Sequence, residues 1–351
     1  MSALPVLGAL AAGGISYLVT PIVTRVLTRA RVFALPGGRH IHARPIPKGG
    51  GWAIVFGFFC ALAGIALIRP EALHFVDQKI GGFDKNLLGV IAGGIAIALG
   101  GFLDDRFTLK PSTKLLLQLG VALLVPLFGI YIFHIRNPFG VTLQFADFAP
   151  LATVLWVLMV TNTVNYLDGV DGLAAGVGFL AAFFIAVLSA LPEVAQPATA
   201  LLSAVLAGAI FGFLPFNVPP ARVFLGDTGS QFIGYMLAVF ALISGGKVAT
   251  VALILGIPIL DVVWVSARRM LRGTSPFRAD RLHLHHRLLD AGFAPRAVLV
   301  ILWGFAALLG TVSLATTTVG KFHAALIVIG LMAVIATALV LLEWKKGKQH
   351  G

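Results

Sequence analysis

Charged residues are scarce in this sequence. Asp, Glu, Lys and Arg make up 11% of its 351 residues, whereas a soluble domain carries about 25%. Hydrophobic residues make up 58%, and the mean hydropathy is +0.97. This balance excludes an ordinary soluble domain and predicts an integral membrane protein.

Cysteine is nearly absent, because Cys60 is the single one in the chain. An intramolecular disulfide is therefore excluded. The first residues lack the basic segment of a secretory signal peptide, and the apolar stretch continues past Tyr17. We therefore expect a first span that is retained. No repeat or long linker divides the chain, so we expect a single polytopic membrane domain over residues 1–351.

Acidic residues are few, at 14 against 26 Lys and Arg residues, which gives a formal net charge of +12. The basic residues are spread over many short loops rather than gathered in one patch. This distribution argues against a nucleic-acid partner and is typical of cytoplasmic loops and anionic ligands.

Apolar stretches long enough to cross a bilayer of about 30 Å predict an all-α fold with about eleven transmembrane helices. They lie near residues 4–28, 50–68, 86–103, 114–133, 148–164, 172–191, 197–216, 228–244, 247–267, 296–316 and 322–343. With the N-terminus outside, the inner loops hold twenty of the 26 Lys and Arg residues, so the C-terminus is expected in the cytoplasm. The acidic motifs then share the cytoplasmic face, where we expect one active site.

Two local patterns add to this topology. The alternation within residues 134–147 predicts a short β-hairpin on the outer face. Pro258 is expected to kink the ninth span and to open a lipid-facing groove beside the site. In the same span, Asp261 is an intramembrane acid, which is a functional hypothesis by default.

The most informative motif covers residues 161–172, between two apolar stretches, and holds Asn162, Asn165, Asp168 and Asp171. A charge at the centre of a membrane helix costs about 2.5–3.5 kcal/mol on insertion scales, so these acids need a partner. Asn165, Asp168 and Asp171 follow each other at one helical turn and are expected on one face. Their oxygens suit Mg²⁺ or Mn²⁺. A polar hairpin between helices is the alternative.

Two adjacent carboxylates, Asp104 and Asp105, close the third apolar stretch. Adjacent carboxylates repel, so they are stable together beside a cation or with one of them protonated. Lys114 begins the next span and is a candidate cation, while a solvated loop is the alternative. Lys48, in a Pro-Lys-Gly-Gly-Gly run, is a second candidate for contact with a bound phosphate.

Asp227 lies in a Leu-Gly-Asp-Thr-Gly-Ser segment directly before another apolar stretch. A helix that begins between glycines offers free backbone N–H groups and a partial positive charge, and both favour a phosphate. Ordinary N-cap chemistry is the alternative.

The longest predicted cytoplasmic loop covers residues 268–296 and carries His283, His285 and His286, followed by Arg287. A His-x-His-His run raises the question of zinc, but no cysteine or carboxylate has the spacing of a zinc site. With arginines around them, these side chains are expected to contact phosphate.

Four motifs together resemble those of the polyprenyl-phosphate N-acetylhexosamine-1-phosphate transferases, glycosyltransferase family 4. They are Gly-Phe-Leu-Asp-Asp, Asn-Tyr-Leu-Asp-Gly-Val-Asp-Gly, Val-Phe-Leu-Gly-Asp-Thr-Gly-Ser and His-Leu-His-His-Arg-Leu-Leu, in this order. The resemblance implies an eleven-helix bundle in the cell membrane, with Mg²⁺ as cofactor and Mn²⁺ as a substitute. It also implies a UDP-N-acetylhexosamine donor and an undecaprenyl phosphate acceptor, and it is compatible with a homodimer.

The resemblance implies roles for individual residues. Asp227 matches the magnesium ligand, with Asn165 and Asp168 completing the metal shell, and Phe224 and Asp171 match positions that hold the uracil. The candidate catalytic residues are Asp104, Asp105, Asp168, His285 and His286. The candidate substrate-binding residues are Lys48, Lys114, Asn162, Asn165, Asp171, Phe224, His283 and Arg287.

The His-x-His-His form favours the branch that uses UDP-N-acetylglucosamine, since the peptidoglycan translocase branch has three consecutive histidines. The expected reaction transfers N-acetylglucosamine 1-phosphate to undecaprenyl phosphate and releases UMP, as the first membrane step of cell-envelope glycan synthesis. A phospho-N-acetylmuramoyl-pentapeptide transferase of peptidoglycan synthesis is one alternative. A cation-coupled membrane transporter, from another class, is the second.

Both reactants of this transfer are anionic, so charge neutralisation should dominate catalysis. The second pKa of a phosphate monoester is about 6, so the acceptor is mostly a dianion in neutral solution. A general base is then worth little. We expect Asp104 and Asp105 to position groups or bind metal rather than to remove a proton.

Overall fold

The structure, a computed structural model, describes most of the chain and is dominated by α-helices. The described residues are 3–34, 45–136, 139–243, 247–271, 273 and 283–349. The first seven helices in them are α1 Leu4–Arg29, α2 Trp52–Ile68, α3 Lys85–Phe107, α4 Pro111–Leu127, α5 Ala149–Leu167, α6 Leu173–Ala190 and α7 Pro197–Asn217. The others are α8 Gly226–Leu242, α9 Val248–Ile254, α10 Gly256–Leu271, α11 Leu284–Asp290, α12 Pro295–Ala315 and α13 Thr318–Gln349.

Short antiparallel strand pairs occur between some of the helices. They are β1 Phe33–Ala34 with β2 Ile46–Pro47, β3 Lys79–Ile80 with β4 Phe83–Asp84, and β5 His134–Arg136 with β6 Thr142–Gln144. The last pair confirms the hairpin predicted within residues 134–147, although the side of the membrane on which it lies stays a prediction. Two short 3₁₀ helices cover Pro70–Leu73 and Ala146–Phe148.

Each of the eleven predicted spans coincides with a helix or, for the ninth, with the pair α9 and α10. By length and apolar composition, seven helical segments among the described residues can cross a membrane, or eight if the bent pair counts as one span. Two more apolar helices, α2 and α4, are shorter. The chain is therefore an all-helical, multi-pass membrane protein, while eleven crossings and their orientation stay predictions.

The ninth span breaks at a different place from the predicted one. The axes of α9 and α10 differ by 73° across Leu255, whereas Pro258 lies in the first turn of α10. A proline is tolerated in a first turn, because the N–H group it lacks has no partner there in any case. The bend therefore precedes Pro258.

Helix α8 forms the centre of the bundle, and every residue from Thr228 to Leu242 is buried. It packs closely against α3, because a Cβ atom added at Gly101 would lie 2.5 Å from the carbonyl oxygen of Asp227. A Cβ atom added at Gly51 would lie 2.2 Å from the Cα of Gly229. These glycines let two segments that carry acidic and basic side chains approach the start of α8.

Candidate active site

One cavity of about 430 Å³ brings together most of the predicted site residues. The ends of α3, α5 and α8 meet there, so Asp104, Asp168 and Asp227 lie at the same end of the bundle. This confirms the predicted convergence of the three acidic motifs. The predicted residues that line the cavity are Lys48, Asp104, Lys114, Asn162, Asn165, Asp168, Asp171, Phe224, Asp227, His283 and His286.

Lys48 reaches the cavity through a short stretch of backbone pairing. The β1–β2 pair continues as a parallel bridge between Lys48 and Phe224, and the N–H of Gly50 donates to the Phe224 carbonyl. The Lys48 ammonium then lies 3.0 Å from Asp105 Oδ1 and 2.8 Å from Asp227 Oδ2. Burial alone would lower the pKa of Lys48, but the carboxylates of Asp227 and Asp105 raise it above its usual value.

Lys114 enters the cavity from the first turn of α4 and contacts the same carboxylate from another side. Its Nζ lies 3.0 Å from Asp104 Oδ2 and 2.9 Å from Asn165 Oδ1, and it also pairs with Asp227 Oδ1. Asn165 donates through Nδ2 to Asp227 Oδ1 and to Ser230 Oγ, both at 2.8 Å. Asp227 is therefore the point at which two lysines and an amide meet.

Asp105 lies behind the cavity wall and caps the start of α8. Its Oδ1 accepts from the Asp227 N–H and from Lys48, and its Oδ2 accepts from the N–H and the hydroxyl of Thr228. Because a carboxylate offers about four acceptor sites, none remains for a proton to be abstracted. The prediction of free N–H groups at this helix start is wrong, since Asp105 binds those of Asp227 and Thr228.

Asp168 differs from the other carboxylates because it has no partner. Among the described residues, none donates a hydrogen bond to it and no cation lies within the 4.0 Å of an ion pair. Burial, reinforced by the Asp227 carboxylate, raises the pKa of Asp168 well above its usual range. A carboxylate in this position is stabilised by any cation that enters the cavity.

Asp171 and Phe224, the predicted uracil contacts, line the cavity with Asp168. Helix α5 ends before Asp171, so helical spacing does not place it. Its Oδ2 instead accepts a hydrogen bond of 3.0 Å from the N–H of Ala221, which fixes it in the loop. The ring of Phe224 is half-buried. Their uracil-binding role stays a prediction.

The histidine motif divides between two environments. The ring of His283 stacks on the ring of Tyr166, with their centroids 5.2 Å apart. The Nδ1 of His283 lies 2.8 Å from Asp261 Oδ2. His283 and His286 line the cavity, whereas His285 lines a separate apolar pocket between α5, α6, α10 and α12.

His285 is therefore not among the residues that line the cavity, although its Nε2 lies against Gly169, which does. Its burial, with His286 and His283 nearby, lowers its pKa well below the usual value, so its ring is neutral. Arg287 does not line the cavity either. Of the predicted loop 268–296, residues 272 and 274–282 lie outside the described part of the chain.

Two buried amides extend the site beyond the residues predicted from the sequence. Asn162 donates to Gln118 Oε1 at 2.9 Å, Gln118 donates to Gln231 Oε1 at 3.3 Å, and Gln231 donates to Asp227 Oδ1 at 3.4 Å. Each glutamine follows a charged site residue by four positions on the same helix. That spacing puts both side chains on one helix face, and it is the sequence feature from which the two amides could have been predicted.

Comparison with known proteins finds one matching family model and several similar proteins. A family model described as "Glycosyl transferase family 4" matches residues 87–245. The "Probable undecaprenyl-phosphate N-acetylglucosaminyl 1-phosphate transferase" of Bacillus subtilis is 32% identical over 86% of this chain and 82% of its own length. The "Decaprenyl-phosphate N-acetylglucosaminephosphotransferase" of Mycolicibacterium smegmatis is 31% identical over 84% and 78%. A "Phospho-N-acetylmuramoyl-pentapeptide-transferase" of Mycolicibacterium vanbaalenii is 30% identical over 82% and 90%.

Proposed function

Because the chain belongs to glycosyl transferase family 4, we propose that it transfers N-acetylglucosamine 1-phosphate from UDP-N-acetylglucosamine to a polyprenyl phosphate. In this reaction an oxygen of the lipid phosphate forms a bond to the β-phosphorus of the donor. The bond from the β-phosphorus to the bridging oxygen breaks, and UMP leaves with the electron pair. The proposed setting is the first membrane step of cell-envelope glycan synthesis, in the cell membrane with the site facing the cytoplasm.

The observation that carries the proposal is the meeting of Lys48 and Lys114 on Asp227, at the wall of the cavity that Asp168 and Asp171 also line. Two phosphate groups repel each other as they approach, and preorganised cations reduce that barrier in a site that excludes water. Lys48 and Lys114 supply fixed positive charge. Asp227 holds both ammonium groups in place, with Asp105 as the second partner of Lys48 and Asp104 as the second partner of Lys114. Asp171 and Phe224, which line the same cavity, would receive the uracil.

The donor set also fits a magnesium ion, since it consists of carboxylate and amide oxygens. Asp227 and the unpartnered Asp168 would hold the ion, with Asn165 beside them. The described residues contain no cluster of three His, Cys, Asp or Glu side chains that could hold a metal alone. Magnesium ordinarily takes one or two carboxylates and completes its shell with substrate phosphates and water. When bound, it would neutralise charge on the pyrophosphate.

Asp104 and Asp105 act as positioning residues in this proposal. Asp104 holds Lys114 and accepts the Leu109 N–H at 2.8 Å, while Asp105 has no acceptor site left for a proton. The acceptor phosphate is already largely a dianion, since its second pKa is about 6. Proton removal is therefore not required, and neither aspartate needs to serve as a base.

Purified protein mixed with undecaprenyl phosphate, Mg²⁺ and a panel of UDP-sugars tests the proposal through UMP release. We expect release with UDP-N-acetylglucosamine, its loss on chelation of the metal, and its return when Mg²⁺ or Mn²⁺ is added. Preferential use of UDP-N-acetylmuramoyl-pentapeptide would favour the second candidate, which the relative from Mycolicibacterium vanbaalenii represents. No release from any UDP-sugar under conditions in which the protein is folded would refute both.

A further inference from the structure

Asp261 is a buried acid that lies outside the cavity of the candidate active site, in an apolar part of the bundle. It belongs to the second turn of α10, after the bend that separates α10 from α9. Its side chain lines the small pocket between α5, α6, α10 and α12, together with Leu167 and Ile257. An ionised carboxylate in such surroundings costs stability unless it is paired. The partners of Asp261 therefore indicate its role.

Both carboxylate oxygens of Asp261 contact the histidine segment. Oδ2 lies 2.8 Å from Nδ1 of His283, and Oδ1 accepts a hydrogen bond of 3.0 Å from the N–H of Leu284. Because an ionised carboxylate only accepts hydrogen bonds, Nδ1 of His283 is the ring nitrogen that carries a proton and donates. The second ring nitrogen, Nε2, is thereby left for a ligand.

Tyr166 holds the ring of His283 from another direction. The two rings stack with their centroids 5.2 Å apart, and both residues line the cavity. His283 is 5% exposed, so its ring has little room to rotate. A hydrogen bond at one nitrogen and a stack on the ring face together fix its orientation, and the bond at Nδ1 determines which nitrogen is available to a ligand.

We propose that Asp261 is a positioning residue for the transfer, which holds His283 so that its Nε2 contacts the phosphates of the UDP-sugar. The ring donates through Nε2 to a phosphate oxygen when both of its nitrogens are protonated, and the Asp261 carboxylate compensates the positive charge of that form. This inference rests on the proposed function, because it assigns a residue outside the cavity to the same reaction. The alternative is that Asp261 only caps the start of α11 through the Leu284 N–H.

A double-mutant cycle between Asp261 and His283 separates the two roles. An amide has one acceptor oxygen and one donor nitrogen, so in Asp261→Asn it cannot accept from both His283 and Leu284. We expect kcat to fall about 10–100-fold, which is the loss typical when the outer partner of a metal-bound histidine is removed. The KM for undecaprenyl phosphate should stay unchanged. The second variant, His283→Phe, keeps a ring to stack on Tyr166 but has neither nitrogen.

The His283→Phe background gives the decisive comparison. If Asp261 acts through His283, adding Asp261→Asn to His283→Phe should lower kcat by less than about twofold, because the nitrogen that Asp261 orients is already absent. A helix cap alone predicts the same fold loss in both backgrounds, and that result would overturn the inference, as would a natural kcat in Asp261→Asn. Asp147→Asn, at an exposed acid that does not line the cavity, is the control and should keep the natural kcat.

A spectroscopic measurement gives an answer even if Asp261→Asn does not fold. In protein labelled with ¹⁵N and ¹³C at histidine, NMR distinguishes protonated from unprotonated ring nitrogens, and the signals of His283 are those missing from His283→Phe. We expect a protonated Nδ1, and a shift of the Nε2 signal when UDP-N-acetylglucosamine is added without an acceptor. An unprotonated Nδ1, or an Nε2 signal that does not respond to the UDP-sugar, would overturn the inference.

The outcomes distinguish a failure of this inference from a failure of the proposed function. If the natural protein releases no UMP from any UDP-sugar, the proposed function fails, and the role of Asp261 in it fails as well. If the natural protein is active and the losses from Asp261→Asn and His283→Phe multiply, only the positioning role of Asp261 fails.

Discussion

The ammonium group of Lys48 lies 2.8 Å from Asp227 Oδ2, although 179 residues separate the two along the chain. The contact depends on the backbone bridge between Lys48 and Phe224, which holds the loop before α2 against the start of α8. The same ammonium binds Asp105. Lys48 therefore links the carboxylate that faces the cavity to the carboxylate that caps α8.

Lys48→Ala should abolish most of the transferase activity. Removal of one preorganised donor from a site of this kind typically costs about 100-fold or more in rate. The loss of stability should fall below the roughly 3–5 kcal/mol of a fully buried pair, since the Lys48 side chain is 30% exposed. UMP release and thermal unfolding in detergent measure the two effects. Lys79→Ala, in an exposed strand, is the control, and a natural rate in Lys48→Ala would contradict the role.

The variant Asp105→Asn tests whether Asp105 caps the start of α8 or acts as a general base. An amide cannot accept all four hydrogen bonds of the carboxylate, so we expect α8 to lose about 1.5–3 kcal/mol for each charged hydrogen bond that is left unmade. Activity should fall together with the unfolding temperature. The pH–rate profile should keep its shape, and the rate should not recover at higher pH.

Asp77→Asn, which alters a fully exposed carboxylate, is the matched control for Asp105→Asn. Recovery of the Asp105→Asn rate with rising pH, at unchanged stability, would show that Asp105 removes a proton after all.

The convergence of Asp104, Asp168 and Asp227 could be predicted from the sequence because it depends only on the order of the acids and the apolar spans along the chain. Each acid ends or begins an apolar stretch, and the number of spans between the acids fixes the end of the bundle at which each one lies. The charge distribution over the loops gave the same grouping. Exact helix ends were not needed for this result.

Two sets of contacts could not be predicted in the same way: those of Lys48 with the carboxylates, and that of Gln118 with Gln231. Lys48 depends on pairing between segments that are far apart, and the sequence does not specify which loop lies against α8. The glutamines are single amides in apolar helices, and only the three-dimensional structure shows that their side chains meet. His285 carried the right residue type, but it lies behind Gly169 and lines the apolar pocket instead of the cavity.

Lys247, at the opposite end of the bundle, predicts a dependence of the protein's stability on pH. It is 2% exposed, and burial lowers its pKa to about 8 from 10.5. Below about pH 8 the buried lysine is charged and destabilises the fold. As the pH rises toward 10.5 the unfolded chain binds more protons than the native state, so stability increases.

Replacement of this lysine should remove that pH dependence. We expect Lys247→Met to unfold at a higher temperature than the natural protein near neutral pH, with the difference shrinking through the alkaline range. Unfolding temperatures measured in detergent at several pH values check this. The exposed Lys79→Met should show no such trend, and a lower unfolding temperature for Lys247→Met at every pH would show that its pairing with Gln196 outweighs the cost of burial.

Two adjacent glycines on α3 should respond in opposite ways to alanine. At Gly101 the new Cβ would lie 2.5 Å from the carbonyl oxygen of Asp227 and 2.7 Å from the Cα of Thr228, so α3 and α8 must separate. Such overpacking costs about 1–3 kcal/mol, and it would pull Asp105 away from the start of α8. Gly101→Ala should therefore lose stability and activity together.

At Gly100 the new Cβ would meet only Leu117, at 4.0 Å. Alanine is favoured over glycine within a helix by about 0.5–1 kcal/mol, so Gly100→Ala should be neutral or slightly more stable, with natural activity. Unfolding temperature and UMP release measured on both variants give the comparison. Equal behaviour of the two would mean that the close approach of α3 to α8 does not hold the carboxylates in place, and the account of Asp105 as the cap of α8 would then be lost.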